Sequence, residues 1–169
     1  MSTLVEFENK GYQDVGSLNH SIAQARLTTL LSTGNEERFT VMVELSLDAS
    51  QIEDLSQFGI KAKEELKPDI CLYPNSVWFS EPTDILRMLE MPLLIIEVIS
   101  PKQGFDDILA KFTAYFALGV KSCWLVMPAV KSIAVYSQPN DFKNFDMNDS
   151  EVIDEVIDIR LPLQKIFIR

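Results

Sequence analysis

The sequence predicts an α/β domain, and three observations carry the prediction. A nearly continuous apolar run, Leu93 to Ile99, reads as a central strand covered on both faces. A helix-like segment from Gly104 to Leu118 follows it, and a second apolar strand begins near Ser122 and includes Trp124. Shorter strand patterns elsewhere mix with one further long helix, which suits a layered α/β arrangement.

Taken in order, residues 1–16 lack periodicity and read as an irregular arm. Ser17 is a candidate N-cap for a helix running to about Ser32, stopped by Gly34-Asn35. Phe39 to Leu47 alternates apolar and polar residues and is expected as a strand. Residues 48–66 are polar and charged, which suits a loop with a helical turn or a short edge strand. Lys67 to Tyr73 reads as a strand entered through Pro68 and ended at Pro74-Asn75. Glu81-Pro82-Thr83-Asp84 is expected to open a short helix to about Glu90. After the central unit, Pro128-Ala129 is a turn and Val130 to Tyr136 another strand. Pro139 to Ser150 is polar and expected as a surface loop, Glu151 to Ile159 as one late strand, and Leu161 to Ile168 as a short closing helix or strand. No repeat, low-complexity tract or linker divides the chain, so residues 1–169 are expected to form a single domain.

Composition narrows the function classes. With 47% apolar residues the chain can build a proper core. No apolar run suits a bilayer span, and no basic-then-apolar leader is apparent at the N-terminus. Cys71 and Cys123 form no CxxC and lie in apolar strand patterns, as expected of reduced, buried thiols in a cytoplasmic protein. Fifteen basic against 25 acidic residues leave a net charge of −10. That opposes non-specific nucleic-acid binding, although a local basic groove remains compatible with it.

The chemical anomaly is Glu97, a carboxylate inside the most apolar strand. A charge there must be paired or hold a metal. Two other groups can join it. Asp69 begins a neighbouring strand pattern, and Lys111 lies on the flank of the following helix, in line with Asp107 and Tyr115. Phe105, Ile108, Leu109, Phe112 and Phe116 form that helix's core stripe. Two carboxylates from adjoining strands make a hard oxygen site suited to Mg²⁺, with Mn²⁺ as a substitute. A lysine beside them can hold an attacking water and offset developing negative charge. This is the minimum equipment for phosphodiester hydrolysis.

These residues carry a family resemblance. The ordered set KPDICLYP, LLIIEVISP, DDILAKFTAYFALGVKSCWLVMP and SIAVY resembles a large bacterial family of restriction-endonuclease-like proteins in the PD-(D/E)XK nuclease superfamily. The resemblance covers residues 17–137, about the whole of the conserved-looking unit, and implies a central mixed sheet flanked by helices. It also implies Mg²⁺ dependence, cleavage of nucleic acid (DNA before RNA) and a homodimer. Pro68-Asp69 matches the PD element and Glu97 the second acid. The superfamily's lysine normally stands two residues after that acid, where this chain has Ile99. Lys111 on the helix, 14 residues on (111 − 97), is the match instead. The first-helix acid has no counterpart, since residues 18–32 contain neither Asp nor Glu, and His20 and Gln24 occupy that helix.

Each feature has a plainer reading. Asp69 can be a turn cap after proline, Glu97 a carboxylate paired to a cation, and Lys111 an exposed partner of Asp107. Ser100 can support a metal-bound water or simply end a strand. His20, Gln24 and Tyr115 are accessory candidates, and Tyr115, Trp124 and Tyr136 are expected in the core. Lys61, Lys63, Lys67 and Lys102 can form a basic rim for phosphates, or a solvated loop neutralised by Glu64 and Glu65. The alternative function is a catalytically inactive nuclease-fold module that binds a protein or nucleic acid.

Overall fold

The apolar run at 93–99 becomes the middle of a six-stranded sheet because both its faces find a helix to cover them. The computed structural model describes residues 16–52, 54–60 and 66–169. The strands are β1 (Phe39–Val43), β2 (Ile70–Pro74), β3 (Leu94–Val98), β4 (Ser122–Met127), β5 (Ser132–Gln138) and β6 (Asp141–Phe145), in spatial order β1-β2-β3-β4-β5-β6. Only β3 and β4 run parallel, and the crossover between them is α2 (Phe105–Leu118). A separate hairpin, β7 (Glu151–Asp154) with β8 (Ile159–Pro162), leads into the short α3 (Leu163–Phe167).

Strand alternation divides the core in two. Ile70, Leu72, Leu94, Ile96 and Trp124 face α1 (Leu18–Ser32), the β7–β8 hairpin and α3. Cys71, Tyr73, Ile95 and Leu125 face α2 and the 47–60 segment. Each fully buried Leu or Ile in these layers contributes about 1.5–3 kcal/mol. All five residues of β3 are buried, as its lack of alternation predicts.

Local rules set the helix ends. Ser17 accepts the His20 N–H at 3.2 Å and caps α1. Gly119 ends α2 at φ 107°, a left-handed conformation that glycine adopts at low cost. Its N–H and that of Val120 return to the last turn. Phe105, expected in the core stripe of α2, is instead 44% exposed, because it is the first residue of the helix and lies beyond the sheet. Ala114 and Tyr115 take the buried positions beside Ile108 and Phe112.

Four expected elements differ. The strand from Phe39 stops at Val43 because Glu44 turns into the left-handed region at φ 53°. No helix forms over 81–90. Met88 is drawn into extended pairing, donating to the Ser46 carbonyl at 3.0 Å and accepting from Asp48 N at 2.8 Å. The polar stretch after Pro139 contains β6, an exposed edge strand joined to β5 through Pro139-Asn140. Its side chains face solvent on both sides, so no apolar alternation marks it. The single late strand is a hairpin, turned at Asp158 with φ 54°. The N-terminal arm, Lys61, Lys63, Glu64 and Glu65 lie outside the described residues, apart from Gly16.

Candidate active site

Register brings the two acids together. In the β2–β3 ladder Ile70 pairs with Ile96 and Cys71 with Ile95, so one step further sets Asp69 opposite Glu97. Directly opposed like charges on one sheet face repel. The β1–β2 ladder pairs Val43 with Ile70, and its next step sets Glu44 beside Asp69. There the Glu44 N–H donates to the Asp69 carbonyl at 3.2 Å. Three acids therefore occupy adjacent positions at one end of the sheet.

Asp69 is held from two directions. Its Oδ2 accepts the Val98 N–H at 2.7 Å and lies 3.1 Å from Nε2 of His20. Gln24 donates Nε2–H to the Asp69 backbone carbonyl at 2.9 Å. His20 and Gln24 are one turn apart on α1, so a single helix flank fixes both the carboxylate and its backbone. With Oδ2 taken by two groups, Oδ1 is the oxygen turned to other work.

Glu97 points to the opposite sheet face, toward α2, as its alternation with Ile96 and Val98 requires. It is 4% exposed, and its Oε1 accepts from the Tyr115 hydroxyl at 3.2 Å. Burial first, and then the charge of Asp69, push its pKa up to about 8, while Lys111 and the Tyr115 hydroxyl pull the other way. A buried, uncompensated ion costs several kcal/mol, and a hydrogen bond to a charged group returns only about 1.5–3. Tyr115 alone therefore cannot hold Glu97 charged. Lys111, half-buried one turn before Tyr115, reaches near enough for its charge to act on Glu97. The Tyr115 hydroxyl is itself pushed well up by burial and by Glu97.

His20 has its pKa raised, chiefly by the hydrogen bond to Asp69, with the charges of Asp69 and Glu44 adding and burial opposing. Ser100 sits in a tight turn. Its carbonyl accepts the Gln103 N–H at 3.0 Å and its N–H approaches Gln103 Oε1 at 3.4 Å, so its backbone is engaged by the turn. Lys67 and Lys102 are exposed on the flanks of the site.

The sequence-predicted trio thus converges, with Asp69 and Glu97 face to face and Lys111 beside Glu97. Among the accessory candidates His20, Gln24 and Tyr115 touch the two acids, whereas Ser100 belongs to a turn. Glu44 was hidden, because an alternating strand read through to Leu47 gave no sign that the chain breaks beside Asp69. Among the described residues no group of three or more His, Cys, Asp or Glu side chains forms a ready-made metal cage. Mg²⁺ does not need one, since it is commonly held by one or two carboxylates together with water and phosphate. The residues fit such a cation in a second respect. Two opposed carboxyls, one of them buried with its pKa raised by the other, are relieved by positive charge placed between them.

Comparison with known proteins agrees with the architecture. The sequence model of the family described as "Uma2: Putative restriction endonuclease" matches residues 13–164. Among solved structures, "a putative nuclease belonging to DUF820 from Anabaena variabilis ATCC 29413" superposes with a TM-score of 0.71 at 19% identity. The match covers 90% of this chain and 82% of that one. At that identity the likeness speaks for the fold, a restriction-endonuclease-like mixed sheet flanked by helices. No curated protein matches the sequence.

Proposed function

The chain belongs to the Uma2 family, described as "Putative restriction endonuclease", and we propose that it is a Mg²⁺-dependent endonuclease hydrolysing phosphodiester bonds of nucleic acid, DNA before RNA. The observation that carries the reading is the cross-strand pair of Asp69 and Glu97, one of them buried, with Lys111 beside it. Asp69 Oδ1 and the Glu97 carboxylate are the groups to hold the cation. Bound there, a divalent cation acidifies a water and offsets charge on a phosphoryl oxygen.

The protein's own part is positioning. His20 and the Val98 N–H keep Asp69 Oδ2 fixed, so that Oδ1 faces Glu97. Tyr115 fixes Glu97 Oε1. The Lys111 ammonium orients the attacking water and stabilises the added negative charge as the new P–O bond forms and the bond to the leaving strand breaks. Exposed Lys67 and Lys102 provide local positive charge for phosphates within an acidic chain.

The competing reading is an inactive nuclease-fold module, favoured by the net charge of −10 and by an α1 that carries no acid. Incubation of the purified protein with plasmid and oligonucleotide substrates in Mg²⁺ or Mn²⁺ separates the two. We expect nicking that Glu97→Gln abolishes. Cleavage that persists in that variant contradicts the assigned site. Among the described residues no helix is long and apolar enough to cross a membrane. We place the activity in the cytoplasm, in keeping with the free, buried thiols Cys71 and Cys123.

A further inference from the structure

The segment 76–90 lies along the outer edge of the sheet and turns large apolar side chains to solvent. It is tied down at intervals. The Val77 carbonyl accepts from Thr40 Oγ1 at 2.8 Å, Met88 pairs with Ser46 and Asp48, and the Glu90 carbonyl accepts from the Tyr73 hydroxyl at 2.7 Å. Thr40 lies in edge strand β1 and Ser46 just beyond it, so the segment follows that edge. Val77 and Met88 turn inward. Between and beside them Trp78 is 70% exposed, Phe79 83%, Leu86 87% and Leu89 63%, with Ile85 and Val43 about half exposed. Trp78 and Phe79 meet edge to face at 5.4 Å, so the two rings brace each other in the open.

We propose that this stripe is the two-fold interface of a homodimer, its occupant a second copy of this chain. The inference stands apart from the nuclease reading, because none of these residues belongs to the acid pair. Area supports it. Large apolar side chains carry ~150–250 Å² each, so the stripe offers on the order of 700 Å². A stable interface takes ~800 Å² per partner, whereas scattered exposed residues on a monomer need no partner. Charge excludes other occupants. Glu81, Asp84 and Glu90 lie in the same segment, which repels phosphate backbones and anionic lipid surfaces. Arg87 lies between Asp84 and Glu90 in sequence, so a two-fold axis can set this cation of one copy against an acid of the other. The same contact covers β1, whose outer edge is otherwise open to pairing with another chain.

Sedimentation velocity of the full chain from 1 to 100 µM tests the proposal. We expect a dimer of twice 19.2 kDa. In Phe79→Asp and Leu86→Asp, separately and together, the dissociation constant is expected to rise at least tenfold, with unchanged circular dichroism and melting. Leu18→Asp, an equally exposed apolar position on α1, is expected to leave the dimer intact. A monomeric wild-type protein overturns the proposal, as does a dimer that survives the double variant or is broken as readily by Leu18→Asp.

Discussion

Glu97 faces Asp69 across the β2–β3 ladder, and the charge of each bears on the other at the end of the sheet. The strand pairing that builds the core therefore enforces a contact that electrostatics opposes. Such an arrangement is tolerated where a proton or a cation resolves it.

Stability of the metal-free protein should fall as pH rises. Glu97 has its folded pKa raised to about 8, so above the ordinary carboxyl range the folded state keeps a proton that the unfolded state has lost. The penalty is absent below the unfolded value and grows through the window up to about 8. The slope is at most about 1.4 kcal/mol per pH unit for one proton. His20, also raised, adds a loss in the same direction from about 6.5 upward. Calorimetric melting from pH 5 to 9 in chelator checks this. Glu97→Gln should melt higher than wild type at pH 8 and show a shallower slope.

His20 is the only histidine, so its proton resonance reports one site. An NMR titration should find its midpoint above 6.5. Asp69→Asn should lower the midpoint most, because that carboxylate is both its hydrogen-bond partner and a charge on it, and Glu44→Gln should lower it less. A wild-type midpoint at or below 6.5 contradicts the His20–Asp69 contact.

Lys111→Met should separate binding from chemistry. The ammonium is assigned to water and to transition-state charge, so cleavage should drop by about 10²–10³-fold, the usual loss for one stabilising group. Mn²⁺ should still bind. Single-turnover cleavage alongside calorimetry checks both arms. Unchanged cleavage removes Lys111 from the mechanism.

A second buried acid has a structural task. Asp154 is 1% exposed and accepts from Ser122 Oγ, from Trp124 Nε1 at 2.7 Å, and from the N–H groups of Val156 and Ile157 at 2.9 and 3.3 Å. It fastens the β7–β8 hairpin to β4. Asp154→Ala leaves these donors unpaired and should cost about 3–5 kcal/mol in denaturant unfolding. Asp154→Asn, which keeps an acceptor oxygen, should cost less.

Much of this arrangement was legible in the sequence because it rests on local periodicity. The unbroken run ending in Val98-Ile99, the cap at Ser17 and the stop at Gly119 each follow from rules of neighbouring residues. Glu97 stood out because a carboxylate in such a run needs a reason. The hidden parts depend on pairing with distant chain. Met88 is extended because Ser46 and Asp48 bond to it, which no reading of residues 81–90 can foresee. β6 is a strand only because β5 offers an edge, and Glu44 enters the site only because β1 breaks there. His20 looked like a lone histidine on a helix surface until the sheet placed Asp69 within its reach.

The most direct test of the acid pair as a cation site is isothermal titration calorimetry with Mn²⁺ near pH 7, repeated in buffers of different ionisation enthalpy. Wild-type protein should bind the ion with release of protons, because Glu97 must give up its own to become a ligand, and both Asp69→Asn and Glu97→Gln should abolish binding while remaining folded. Binding that survives either substitution, or a folded wild-type protein that takes up no ion, contradicts the account.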